Sequence, residues 1–165
     1  MAGPAVELTQ QALLEAGHPL LAETYFDKSA KPPKRLPRLQ AAAGPHKSGG
    51  DPHIAGRALD IILFANQDME RAIADDLVEI FLELRDKMKW IAVIYNGYEW
   101  NGQGMKFEKK RKVDGKPVSD PEFEHRTHIH IEWGQSSVNT VDFGDELEGR
   151  LADAFDPDDL GRPTY

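Results

Sequence analysis

The chain contains no cysteine. Disulfide frameworks, thiolate zinc sites and cysteine nucleophiles are therefore excluded, and any metal has to be held by imidazole and carboxylate. Long apolar runs are also missing. No stretch approaches the ~20 residues that a spanning helix requires, so no membrane insertion is expected. An excess of cations is absent: 20 basic against 28 acidic residues leave a net charge of −8, which argues against a nucleic-acid partner. The first residues, Met1–Glu7, have neither a basic n-region nor an apolar h-region. No signal peptide is expected, and the protein is expected to stay in the cytoplasm until released or to leave by a non-Sec route. Gly97 and Gly102 form no phosphate loop, and no Gly-x-Ser-x-Gly occurs.

What remains is an ordinary globular composition. At 165 residues, 40% apolar and 29% charged, the chain is expected to form one domain, 1–165, with a real core. Val6–Ala16 has helical propensity and Gly17 is a plausible stop. Tyr25–Gly50, rich in Lys, Pro, Gly and Ala, reads as mostly loop, with a short helix near Leu36–Ala43. Arg57–Phe64 reads as a strand, and Asp60 is a carboxylate within it that needs a partner. Across Asp68–Met88, Ile73, Leu77, Ile80, Phe81, Leu84 and Met88 form one apolar stripe, which predicts a long helix. Trp90–Tyr95 predicts a buried strand, Asn96-Gly97 a tight turn, and Tyr98-Glu99-Trp100 the return strand. Asn101–Phe123 reads as a polar insert, Thr127–Trp133 as the last strand and Asp145–Phe155 as a short helix within an acidic tail, 138–165. This order predicts an α+β domain with a small, mainly antiparallel sheet and helices packed to one side.

Two segments hold four of the six histidines: His53–Asp60, and His125-Arg126-Thr127-His128-Ile129-His130. His53 precedes Gly56, where a turn could bring His53 and Asp60 to one ion. His128 and His130 alternate with other residues, so both fall on one strand face, about 7 Å apart. If the two strands pair, His130 can complete a two-histidine, one-aspartate set with His128 beside it. Three N/O ligands and an open fourth position are what a catalytic zinc site on the sheet needs. His128 is then placed to accept a proton or stabilise an oxyanion.

His53-x-x-Gly56-x-Ala58-x-Asp60 followed by His128-x-His130 resembles the LAS metallopeptidases: lysostaphin-type enzymes, D-alanyl-D-alanine metallopeptidases and the hedgehog signalling domain. The His-x6-Asp spacing is similar to that of the D-Ala-D-Ala and murein-endopeptidase branch. The resemblance covers about 47–134. It implies His53, Asp60 and His130 as Zn2+ ligands, His128 as base or transition-state donor, and His125 as a supporting catalytic group. An alternative register makes His128 the ligand and His125 the base, as in the Glu-x-x-His pattern of the dipeptidase branch. It implies hydrolysis of an amide bond in peptidoglycan peptides, by an endopeptidase or carboxypeptidase, as in a phage endolysin or an injected effector. Two other readings stay open: a zinc-containing module that binds or senses peptide without cleaving it, and an assembly component whose histidines are incidental. Asp51 stands where many members have Ser. No upstream Ser-Gly-Tyr-Arg segment supplies a substrate arginine, a place that Arg35 or Arg38 could take.

Tyr98 and Trp100 are candidate substrate-binding residues on an aromatic hairpin. Glu132, on the face of His128 and His130, is a candidate carboxylate to orient an imidazole. His46 is a loop histidine that could approach the pocket. The basic run Lys109–Lys112 is either a solvated loop or a contact for anionic cell-wall polymer.

Overall fold

The computed structural model describes residues 2–41 and 56–156. The chain opens with α1 (Pro4–Ala16), a 3₁₀ turn (Pro19–Ala22) and three short strands, β1 (Thr24–Asp27), β2 (Lys34–Pro37) and β3 (Leu39–Gln40). Then come β4 (Ala58–Ile62), α2 (Asp68–Glu83), α3 (Arg85–Met88), β5 (Trp90–Tyr95) and β6 (Tyr98–Asn101). The chain continues through β7 (Lys106–Glu108), β8 (Arg111–Val113), β9 (Lys116–Val118), β10 (His128–Trp133) and α4 (Gly144–Ala154). The fold is α+β. Its main sheet has six strands in the order β3-β4-β10-β5-β6-β7, every pair antiparallel, with the helices packed against it. No helix among the described residues is long and apolar enough to cross a membrane.

Period-2 alternation sorts the sheet into two faces. Leu59, Ile61, Ile129, Ile131 and Val93 point into the core, where α2 contributes Ile73, Leu77, Ile80 and Phe81. Each such aliphatic side chain, fully buried, stabilises the fold by about 1.5–3 kcal/mol before the entropic cost of ordering it. The core reaches outside 47–134 on both sides. Val6 and Leu13 enter it from α1, and Phe143, Leu147 and Leu151 from the acidic C-terminal segment.

Three local expectations change. The short helix near Leu36–Ala43 is replaced by strand: Leu39 and Gln40 pair with Ile61 and Asp60 of β4, and residues 42 and 43 lie outside the described set. The helix expected over Asp68–Met88 breaks at Leu84 (φ −98, ψ 11), and α3 ends on Lys89 in the left-handed region. The break lets the Met88 carbonyl accept a hydrogen bond from Trp133 Nε1, at 2.9 Å. The polar insert is not all loop, because β7 extends the sheet and β8 pairs with β9.

One irregularity matters for packing. Glu132 faces Ala92 but Trp133 faces Trp90, so Ile91 is an extra residue in β5. This bulge leaves Ile91 45% exposed and turns both Trp90 and Trp133 into the core.

Candidate metal centre

The β4–β10 register sets His130 directly opposite Asp60, with His128 opposite Ile62. Cross-strand partners share a face, so Asp60, His128, His130 and Glu132 all lie on the side away from Leu59 and Ile131. His130 Nδ1 is 3.1 Å from Asp60 Oδ1, and its Nε2 is 3.1 Å from Glu132 Oε1. His128 Nε2 is 3.7 Å from the same Asp60 oxygen, and its Nδ1 is 3.0 Å from Thr127 Oγ1. The His125 ring joins from the preceding loop, with centroids 4.8 Å from His128 and 5.6 Å from His130. His125 sits at φ +55, a costly conformation for a residue with a Cβ. Its ring is anchored through Nδ1, 3.1 Å from the Phe123 carbonyl.

Electrostatics divide the imidazoles. Burial disfavours the charged form of His130, but its bonds to Asp60 and Glu132 outweigh that and lift its pKa to about 9. Burial, reinforced by His128 and His130, pushes His125 down to about 4. The carboxylates thus favour the charged form of His130, and burial favours the neutral form of His125.

The loop that carries His125 hangs on Glu124, which is fully buried. Glu124 Oε1 accepts from Lys110 at 2.8 Å and from Arg126 Nη2 at 2.6 Å, while Oε2 accepts the Asp120 N–H at 2.7 Å. Lys110, then the Asp120 amide and Arg126, hold its carboxyl down at about 2. Neither Glu124 nor Thr127 stands out in the sequence, since nothing local announces that Glu124 is buried and joined to Lys110, 14 residues away.

Among the described residues, no three His, Cys, Asp or Glu side chains form a group able to hold a metal ion. The third donor expected from the sequence, His53, lies outside the described residues, as do His46 and Asp51. The donors that are described suit the purpose in pairs. Tetrahedral zinc with bonds of ~2.0–2.1 Å sets neighbouring donors about 3.3 Å apart. Asp60 Oδ1 lies 3.1 Å from His130 and 3.7 Å from His128, so either register of the histidine pair is compatible with that spacing.

Compared with protein-family models, curated proteins and solved structures, the chain matches none. The chemistry of the centre has to be read from its own side chains.

The aromatic pair falls elsewhere. Trp100 faces Val93 and Tyr98 faces Tyr95, which puts both on the core side of the sheet, opposite Asp60 and His130. There they border α2, with Lys106 Nζ 4.1 Å from the Tyr98 ring centre. The substitute arginines are engaged too. Arg38 donates to Glu70 at 2.6 Å and to the Ile62 carbonyl at 2.9 Å, and Arg35 bonds to Thr24. Beside His128 there is instead an open cleft of about 580 Å³, bounded by Ile62, Phe64 and Thr127 and by Tyr25–Ser29. A second hollow of about 340 Å³ shares Phe64, Asn66 and Thr127 with it and adds Arg71 and Arg126. The first cleft is built in part from β1, in the region that reads as loop in the sequence.

Proposed function

We propose that the chain is a zinc-dependent hydrolase that cleaves an amide bond in peptidoglycan peptides. The observation that carries the reading is the opposition of Asp60 and His130 across β4–β10, with the rings of His128 and His125 gathered at the same place. Asp60, His130 and His53 are the proposed ligands, with Glu132 holding the far nitrogen of His130. Zinc bound there would supply a Lewis acid for the scissile carbonyl and lower the pKa of a coordinated water toward about 7.

The remaining work belongs to the chain's own groups. Thr127 engages Nδ1 of His128 and leaves Nε2 turned toward Asp60. From there His128 takes a proton from the attacking water and returns it to the departing amine. His125 stays neutral beside it: its Nδ1–H donates to the Phe123 carbonyl, which leaves Nε2 free to accept a hydrogen bond from the attacking water. In the other register His128 is the ligand and His125 takes the proton. The cleft bounded by Tyr25–Ser29 and Thr127 receives the peptide, next to His128 in sequence at Thr127 and opposite it across the strands at Ile62.

Digestion of purified peptidoglycan with wild type and His128→Ala, followed by mass spectrometry of the new termini, tests this. Wild type is expected to release new termini and His128→Ala none, with zinc retained at one equivalent by the variant. His130→Ala is expected to lose the zinc. Wild type that carries full zinc yet releases nothing from several peptidoglycan chemotypes would sink the peptidase reading and leave a zinc-containing peptide-binding module.

A further inference from the structure

The ribbon β8–β9 carries charge opposite to that of the chain as a whole. Residues 106–116 contain six of the twenty basic residues and only two of the twenty-eight acids. The two strands bond only to each other, and all their residues are exposed. The ribbon is closed by Asp114 and Gly115, both at positive φ, as a tight two-residue hairpin requires. At its base the cations are neutralised: Lys109 by Glu99 at 3.2 Å, Lys110 by Glu124 at 2.8 Å and Arg111 by Asp120 at 3.1 Å. Nearer the tip, Lys112 and Lys116 have no ion pair among the described residues. Lys112 faces Pro117 and Lys116 faces Val113, so the two lysines emerge on opposite faces of the ribbon.

We propose that this ribbon is a docking element for a phosphodiester polymer attached to the wall, holding the hydrolase on an insoluble substrate. The wall setting rests on the peptidase reading above. Cations on both faces suit a flexible polyanion that passes around the ribbon. A flat protein surface would meet only one of the two lysines. The ribbon's arginine is held by Asp120, so the cations left toward the tip are lysine ammoniums, point charges that can meet singly charged phosphodiester oxygens without a fixed planar geometry. The acidic remainder of the chain does not cancel this field, because charges more than about 8 Å away are largely screened at physiological ionic strength. Glu124 joins Lys110 at the ribbon base to Arg126 beside the histidine loop. A polymer held on the ribbon is therefore held at a fixed offset from the histidines.

The test uses the full chain and poly(glycerol phosphate), a phosphodiester polymer, as probe, with polyglutamate and single-stranded DNA as competitors. Saturable binding to poly(glycerol phosphate) is expected, with weaker binding to polyglutamate and no tighter binding to DNA. Lys112→Glu/Lys116→Glu is expected to lose at least ~10-fold in affinity at low salt and to flatten the plot of log Kd against log salt by about 1.5–2. The charge-matched control Lys31→Glu/Lys34→Glu is expected to stay within about twofold. Cosedimentation with peptidoglycan is expected before, and not after, its phosphodiester polymer is stripped. Absence of saturable binding, equal losses in both double variants, or equal sedimentation with stripped wall would overturn the proposal, and tighter binding to DNA would replace it with a nucleic-acid partner. None of these readouts uses catalysis. A chain that docks but cleaves nothing refutes only the peptidase reading, and one that cleaves but does not dock refutes only the ribbon.

Discussion

Glu132 stands two residues from His130 on one strand face, and its Oε1 lies 3.1 Å from the imidazole Nε2. The other nitrogen, Nδ1, faces Asp60. In the proposed zinc site Nδ1 would be the ligating atom and Glu132 would fix the ring. Glu132→Gln is expected to weaken zinc binding by about 10–100-fold while the circular dichroism spectrum stays unchanged. A chelator-competition titration measures it. Unaltered affinity would count against His130 as a ligand.

The two registers of the histidine segment differ in which single change empties the site. If His130 is the ligand, His128→Ala keeps one equivalent of zinc and loses turnover by about 10²–10⁴-fold. If His128 is the ligand, that variant loses zinc and His125→Ala keeps it. Metal content and turnover measured on both variants separate the cases, because each register predicts a different pairing of the two results.

Glu124 makes a prediction about acid. Its carboxyl titrates near 2 in the folded chain, against an ordinary 4.5. A depressed pKa of this kind contributes stability that is fully present above pH 4.5 and is lost as pH falls toward 2. Glu124→Gln is expected to be less stable than wild type at pH 7, and the gap between their urea midpoints is expected to close between pH 4.5 and 2. Hydrogen exchange across 119–127 is expected to quicken in the variant at neutral pH. A constant gap across that window would show that Lys110 and Arg126 are not what Glu124 stabilises.

His18 makes a second one, in a different window. Its Nδ1 accepts the Leu20 N–H at 3.0 Å, and burial lowers its pKa below 6.5. Protonation removes that acceptor, so stability is expected to fall as pH drops below 6.5, with no effect above it. His18→Asn offers an uncharged cap in its place. Thermal melts from pH 7.5 down to 5 are expected to show a shallower decline in the variant, and parallel curves would refute the assignment.

The parts of the fold that are legible in the sequence are those with an unbroken period. β4, β5, β10 and the stripe of α2 show it, and Asn96-Gly97 marks the β5–β6 hairpin as it should. The strands between Thr24 and Gln40 are too short, at two to four residues, for alternation to emerge, and of their side chains Leu39 is the one that is buried. Asp114-Gly115 is as good a turn signal as Asn96-Gly97, but charged flanks conceal the strands on either side. Nothing at Leu84 announces a break, since neither Pro nor Gly stands there. For the candidate centre, period 2 aligns His128, His130 and Glu132, and strand pairing brings in Asp60. The same period, counted across the hairpin, puts Tyr98 and Trp100 on the other face. Arg38 pairs with Glu70, 32 residues away, and separations of that kind carry no local signature.

The bulge at Ile91 has an optical consequence. Trp90 and Trp133 are both buried and both donate their indole N–H to helix carbonyls, of Phe81 and Met88, at 2.9 Å. Their emission reports the seam between the sheet and the end of the α2–α3 segment. Trp100, partly exposed on β6, is the only other indole in the chain. Intrinsic fluorescence therefore reads two places at once, and a Trp100→Phe background would leave a signal confined to the interior, blind to anything that docks outside it.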